Sequence, residues 1–338
     1  MTSKTLRIIA GAGISLAFLA GAFYKVRLPE LWAALRGINP FALLFCLSFF
    51  TVNCVFRALM WRVTTRPLQP VGFSTLFGGV VVGYLANNLL PLRTGELVRT
   101  YYLAARTGIP GTAVFSTICV ERALDVISLG LLLAAALIWG LRGIVPQTAS
   151  VVLAAMAAVL GAALLLLTGL LRFNRLHENV QLPAALSRAG EGVRKFLEPV
   201  ANLRRTKTFL VLTGLSLAAW ASNYLSLLPL ARSAQNCAEA ALLLLLFINL
   251  GLLIPSSPGA LGVMQVAFWT ALAPFGIPKE QALALSLAYQ GGLYLLTLAV
   301  GLPYTARAHV RLARAAGENG RSLAGKGAGW YGEPQVKK

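Results

Sequence analysis

Six ionisable residues fall within or beside long apolar runs between Asn87 and Asp125: Arg93, Glu96, Arg99, Glu121, Arg122 and Asp125. A charge at the middle of a lipid-facing helix costs about 2.5–3.5 kcal/mol, so six of them would cost on the order of 15–20 kcal/mol. They must therefore pair or line a polar cavity. Arg122 and Asp125 stand three apart on one helix, where they can pair. Glu121 and Asp125, four apart, form an acidic face able to receive Arg93 or Arg99. Glu96, Arg99, Tyr102 and Arg106 recur at three- and four-residue spacing and share one face of a short amphipathic helix. Two chemistries fit these residue types. In one, Arg93 and Arg99 hold a phosphate-bearing headgroup while the acids keep the guanidinium groups extended; in the other, a buried ion-pair network fixes helix register. Glu96 and Asp125 are also the groups that would carry protons if transport were ion-coupled.

Catalytic patterns are thin. His177 and His309 have no Ser or Cys nucleophile beside them in sequence, and no His/Cys/Asp cluster has metal-ligand spacing. Cys46, Cys54, Cys119 and Cys237 read as small apolar packing residues, Cys46 and Cys54 being about 12 Å apart by helical rise. Gly320 to Gly327 resembles a phosphate-binding loop, but no strand precedes it and Gly327 stands where magnesium needs a hydroxyl. No catalytic residue, metal or cofactor is expected.

The elements that must position these charges are transmembrane helices. The chain has 338 residues, 57% hydrophobic and 12% charged, with a mean hydropathy of +0.71. A soluble domain is about one-quarter charged. The apolar runs are long and do not alternate with period two, which excludes a barrel. Spans are expected at Thr5 to Tyr24, Pro40 to Val63, Thr112 to Gly140, Pro146 to Leu171, Thr208 to Ala231, Ala238 to Ile254 and Gln281 to Tyr304. Arg57, near the end of the second span, reads as an interfacial anchor whose side chain snorkels. The net charge of +19 sits largely in the Arg172 to Lys207 loop and the tail, which the positive-inside rule places in the cytoplasm. Nucleic acid is therefore not the expected partner; anionic lipid headgroups are. The expected division is a transmembrane domain over 1–308 and a basic cytoplasmic tail over 309–338, disordered beyond about Gly317.

Two interrupted segments echo each other. Leu90-Pro91-x-x-x-Gly95-x-Leu97 matches Ile254-Pro255-x-x-x-Gly259-x-Leu261, with Asn87 and Asn88 before the first and Asn249 before the second. Thr94 reads as the N-cap of one following helix, Ser257 with Pro258 as that of the other. Free N–H groups at two such helix starts would make anion sites, and paired broken helices in corresponding halves mark a transport site.

At these residues the chain resembles the membrane region of lysylphosphatidylglycerol synthases and related flippase-like proteins. The likeness rests on Leu90-Pro91-x-Arg93-x-Gly95-Glu96-x-x-Arg99, Glu121-Arg122-x-x-Asp125 and Pro255-x-x-Pro258-Gly259-x-x-Gly262, and extends over about Thr5 to Ala308. It implies an all-α polytopic membrane protein with re-entrant helices that moves lipids between leaflets. It does not carry over aminoacyl transfer, which belongs to a separate soluble domain of the synthases. Gln265 stands where that family often has Glu, which weakens a proton-coupling or cation-headgroup role there. The combined expectation is an inner-membrane protein of about seven to nine segments in an internal repeat, with both termini cytoplasmic. It would bind an anionic phospholipid, glycolipid or hopanoid-type lipid through Asn88, Arg93, Gly95, Glu96, Arg99, Tyr102, Glu121, Arg122, Asp125, Asn249, Ser257, Gly259 and Gln265. Self-association stays open. The alternatives are an intramembrane headgroup transferase with Glu96 or Asp125 as base, and a regulatory subunit docking through its basic loop and tail.

Overall fold

A computed structural model describes residues 13, 15–90, 94–139, 206–252, 254 and 257–327, with side chains as far as Leu132 in one helix and Arg307 in the last. Arg93, Pro91, Pro255, the Pro146 to Leu171 span and nearly all of the basic loop lie outside the described residues. After a helical stretch at 15–23, a short helix α1 covers Leu28–Arg36. Pro29 and Glu30 open it and Arg36 closes it, next to Gly37. Leu31 is buried while Leu28 and Trp32 are exposed, with Arg36 stacked on Trp32, the pattern of a helix lying in a membrane interface.

α2 spans Pro40–Thr65. Asn39 caps it, its Oδ1 accepting from the Phe41 N–H at 2.9 Å, and Pro40 holds the first position. α3 (Phe73–Leu89) is apolar but only 17 residues long. At 1.5 Å per residue it covers about 25 Å, less than the roughly 30 Å hydrocarbon core. The chain then breaks at Leu90, before a proline that disfavours helix in the residue preceding it. α4 (Gly95–Thr107) follows, ending at Gly108 in the left-handed region. α4 runs back along α3: Gly83 lies against Gly95 and Arg99, and Gly79 against Tyr102. The pair is a re-entrant hairpin. α5 (Gly111–Trp139) completes the first half.

The second half repeats this order. α6 (Thr206–Leu227) ends in a 3-10 turn, Leu228–Ala231. α7 (Cys237–Gly251, 15 residues) is again too short to span. A 3-10 turn, Pro258–Ala260, leads to α8 (Val263–Leu272), and α9 (Lys279–Gly327) is the last described helix. By length and composition, four described segments can cross a membrane: Pro40–Thr65, Thr206–Ala231, Pro258–Phe275 and Lys279–Arg307. α9 runs on to Gly327.

α2 and α6 pack together at the centre and run antiparallel, since Asn53 donates to the Ala219 carbonyl at 2.7 Å while Met60 shares a cluster with Leu212. The α3–α4 hairpin hangs from the face where α2 ends, and the α7–α8 hairpin from the face where α6 ends. Antiparallel α2 and α6 thus put the two hairpins on opposite faces, the arrangement of an inverted repeat. Their tips meet inside: α3 packs against the Pro258–Ala260 turn. Both tips rest on α9, Asn88 donating to Thr297 Oγ1 at 2.9 Å and Gly259 lying against the Tyr294 ring. One apolar core, around Trp61, Leu76, Leu103 and Ile118, holds the first half; another, around Leu244, Phe268 and Leu272, holds the second.

Candidate functional site

Five charged side chains from three helices converge in the first half. Glu121, fully buried on α5, accepts from Arg57 Nη1 of α2 at 3.1 Å, from Arg99 Nη1 of α4 at 3.0 Å and from Arg122 Nη2 at 2.8 Å, all on one carboxylate oxygen. Its other oxygen lies 2.7 Å from Arg99 Nη2. Asp125, one turn further along α5, lies 2.8 Å from Arg57 Nη1 and 3.2 Å from Arg122 Nη2. The α6 helix completes its shell: Trp220 Nε1 donates to Asp125 Oδ1 at 3.1 Å and Ser216 Oγ at 3.3 Å, with Ser128 donating to Ser216 in turn.

Arg99 is stacked over the Trp61 ring, 3.8 Å from its centroid, and the Trp61 indole donates to Thr117 Oγ1 at 2.8 Å. Arg99 is thus held between Glu121 and the Trp61 face, while Arg57 meets both acids through Nη1 alone and its buried Nε has no hydrogen-bond partner. Arg122 differs. Its side chain is 47% exposed, against 4% for Arg57 and 7% for Arg99. Its Nη2 engages both acids, and Nε and Nη1, with three N–H groups of the guanidinium fork, make no hydrogen bond within the described protein.

Beside Arg122 lies a cavity of about 400 Å³. Arg57, Arg122 and Asp125 form its charged wall; Asn223, Asn249, Tyr84 and Tyr289 add polar groups; Leu129, Leu245, Ile248, Met264 and Leu293 supply an apolar wall. Three guanidinium groups against two carboxylates leave one positive charge in excess. A pocket of this make-up can hold an anionic group at one end and hydrocarbon at the other.

Several residues picked out by the sequence have a structural partner. Arg57 is a buried member of the cluster and no interfacial anchor: α5 presents two acids to it at a depth where it cannot snorkel. Thr94 makes no cap. Asn87 Oδ1 instead accepts from the Gly95 N–H at 2.8 Å, and Gly95 itself is pressed against the Gly83 carbonyl, where any Cβ would clash. Ser257 likewise makes no side-chain cap; its own N–H donates to Ser15 Oγ at 2.7 Å, and α8 begins only at Val263. The cap there is Gln265, whose Oε1 accepts from the Gly262 N–H at 2.6 Å while its Nε2 donates to Gln290 at 2.8 Å. Gln290 in turn donates to the Gly259 carbonyl. Both helix starts expected to hold an anion therefore already carry an amide oxygen. Tyr102 is packed beneath Arg106 and against Gly78 and Gly79, and Glu96 is half-buried near the start of α4, away from the cavity wall. Asn249 lines the cavity, with its Nδ2 donating to Leu245 in its own helix.

The model of the lysylphosphatidylglycerol synthase TM region matches residues 8–301. The chain belongs to this family. The match takes in both hairpins, the charged cluster and the cavity. Among curated relatives, glycosyltransferase AglD of Haloferax volcanii is 28% identical over 130 residues, 37% of this chain and 20% of that protein. A UPF0104 membrane protein of Methanocaldococcus jannaschii is 28% identical over 128 residues, 37% of either chain. The aligned stretch thus takes in well under half of each relative. In the terms of the synthase TM-region family, the site is a charged cluster of the first repeat opening on a pocket lined by both repeats.

Proposed function

We propose that this protein moves a lipid with an anionic headgroup between membrane leaflets, without changing the lipid chemically. One observation carries the reading: half-exposed Arg122 lines an intramembrane cavity that is charged on one wall and apolar on another. A guanidinium fork suits bidentate binding of a phosphate. The excess positive charge offsets the cost of drawing an anion out of water. The buried pairs of Arg57 and Arg99 would hold α2, α4 and α5 in register around it, while acyl chains stay in lipid. Hairpins entering from opposite faces, with tips that meet, suit an alternating exposure of the cavity to either side.

The decisive experiment places the purified protein in proteoliposomes, follows the sidedness of labelled phospholipids, and checks the masses of recovered lipid in parallel. Movement lost in Arg122→Ala at unchanged mass is the expected result. A new lipid mass without movement would overturn the reading in favour of a headgroup transferase.

The basic segments of the sequence support an orientation. Described basic residues stand on both faces, Arg62, Arg66, Arg106, Lys207 and Arg307 where α2 ends and Lys25, Arg27, Arg36, Arg232 and Lys279 where it begins, so the bias rests on the sequence of the Arg172 to Lys207 segment that leads into α6 and of the tail that follows Arg307. By the positive-inside rule the face where α2 ends is cytoplasmic in a bacterial inner membrane. Single cysteines introduced at the exposed Gln69 and Gln235, with the native cysteines replaced by alanine, should then be labelled by an impermeant maleimide from opposite sides. Labelling of both from one side would contradict the inverted arrangement.

A further inference from the structure

We infer that the cavity selects a headgroup that pairs its phosphate with neutral hydroxyls, a polyol or sugar phosphodiester, and rejects one that carries an amine. This rests on the lipid-transport reading above. Among the described residues, Asp125 is the one carboxylate that lines the cavity, and Arg57, Arg122, Trp220 and Ser216 surround it. Glu121 is fully buried behind three arginines. The other acids in the described side chains are Glu96, half-buried outside the cavity lining, and Glu30, Glu239 and Glu280, which stand near helix starts at the opposite face from Arg62. A cationic group in the cavity would meet Arg122 and no unpaired anion. Bringing it there leaves a charge uncompensated, the costliest outcome in a dry site.

Apart from Arg122, the buried Arg57 with its unpartnered Nε, and the paired Asp125, what the cavity offers is neutral. Asn223, on α6, lines it with a side-chain amide that makes no hydrogen bond within the described protein. Asn249, on α7, spends its Nδ2 on Leu245 and leaves its Oδ1 unengaged. An amide donor and acceptor from one helix and an acceptor from another suit hydroxyl groups, which both donate and accept. A site built to hydrogen-bond a hydroxyl discriminates against the analogue that lacks it, because its own polar groups are then left unpaired. Phosphate at the wall of Arg122 and Arg57 and hydroxyls at Asn223 and Asn249 would match the unengaged groups of this lining.

The test is competitive lipid binding to the purified full-length protein in detergent, read by native mass spectrometry, with phosphatidylglycerol, phosphatidic acid and phosphatidylethanolamine of identical acyl chains. Phosphatidylglycerol should outcompete phosphatidylethanolamine by more than it outcompetes phosphatidic acid, with roughly a tenfold margin over the latter. Asn223→Ala, which removes a cavity-lining group without breaking any side-chain hydrogen bond among the described residues, should erase the margin over phosphatidic acid and leave the margin over phosphatidylethanolamine. Arg122→Gln should weaken both anionic lipids alike. Equal binding of phosphatidylethanolamine and phosphatidylglycerol, or an unchanged preference in Asn223→Ala, would overturn the inference while leaving lipid transport standing. Absence of binding for all three lipids, with no movement in proteoliposomes, would overturn both.

Discussion

The two halves share an order of elements but differ in what fills the space behind each hairpin. In the first, the junction of α2, α4 and α5 is ionic: Arg57, Arg99 and Arg122 around Glu121 and Asp125. In the second, the junction of α8 and α9 is neutral, Gln265 and Gln290 passing a hydrogen bond to the Gly259 carbonyl, with Ser226 and Tyr289 nearby. Both solutions fix the hairpin to its neighbours, although the ionic one leaves the Nε atoms of Arg57 and Arg99 without a hydrogen-bond partner. Only the ionic one leaves a partly exposed charge at a cavity. Among the described residues, one half of the inverted repeat thus carries the charged cluster and the other its neutral counterpart, so the anion site we propose belongs to the first half.

The difference can be probed by substitutions of decreasing severity. Glu121→Ala should cost the most, about 3–5 kcal/mol, because it leaves the buried Arg99 with no acid and crowds Arg57 and Arg122 onto Asp125 alone. A collapse of the thermal unfolding midpoint in detergent would record this; a change no larger than for a surface substitution would mean that the cluster is hydrated. Gly95→Val should follow at about 1–3 kcal/mol, since the added carbons meet the Gly83 carbonyl and the Asn87 side chain and must push α4 from α3. Gln290→Leu, in the neutral half, should cost about 1–3 kcal/mol by leaving Gln265 Nε2 and the Gly259 carbonyl unpaired. Arg122→Ala should cost under about 1 kcal/mol, as expected for a half-exposed partner. Its cost lies in function instead.

Much of the membrane architecture is legible in the sequence, because hydrocarbon leaves few options: apolar helices of fixed length, breaks at proline and glycine, and charges that must find one another. Arg99, Glu121, Arg122 and Asp125 are picked out by that logic, and the structure brings the four together. Arg57 escapes it. On its own helix it has no partner at three or four residues, and an arginine near a helix end has the option to snorkel; only the packing of α2 on α5 shows that two acids wait at its depth. The helix starts mislead for a related reason. Thr94 and Ser257 satisfy local capping rules, yet Asn87 from the preceding helix and Gln265 from within α8 take the exposed N–H groups. Such a competition between a near and a distant amide depends on how the chain folds back, which spacing along the sequence does not encode. Gln265, noted as a lost carboxylate, gains its meaning from Gln290, 25 residues away.

The most direct measurement compares the halves in one assay: leaflet transfer of phosphatidylglycerol in proteoliposomes holding equal amounts of folded wild-type protein, Arg122→Ala or Gln290→Leu. If the charged half binds the headgroup, Arg122→Ala loses transfer although its stability barely changes, and Gln290→Leu keeps transfer although it is the less stable variant. Transfer that survives Arg122→Ala and falls with Gln290→Leu would contradict this, and would move the headgroup site to the neutral half.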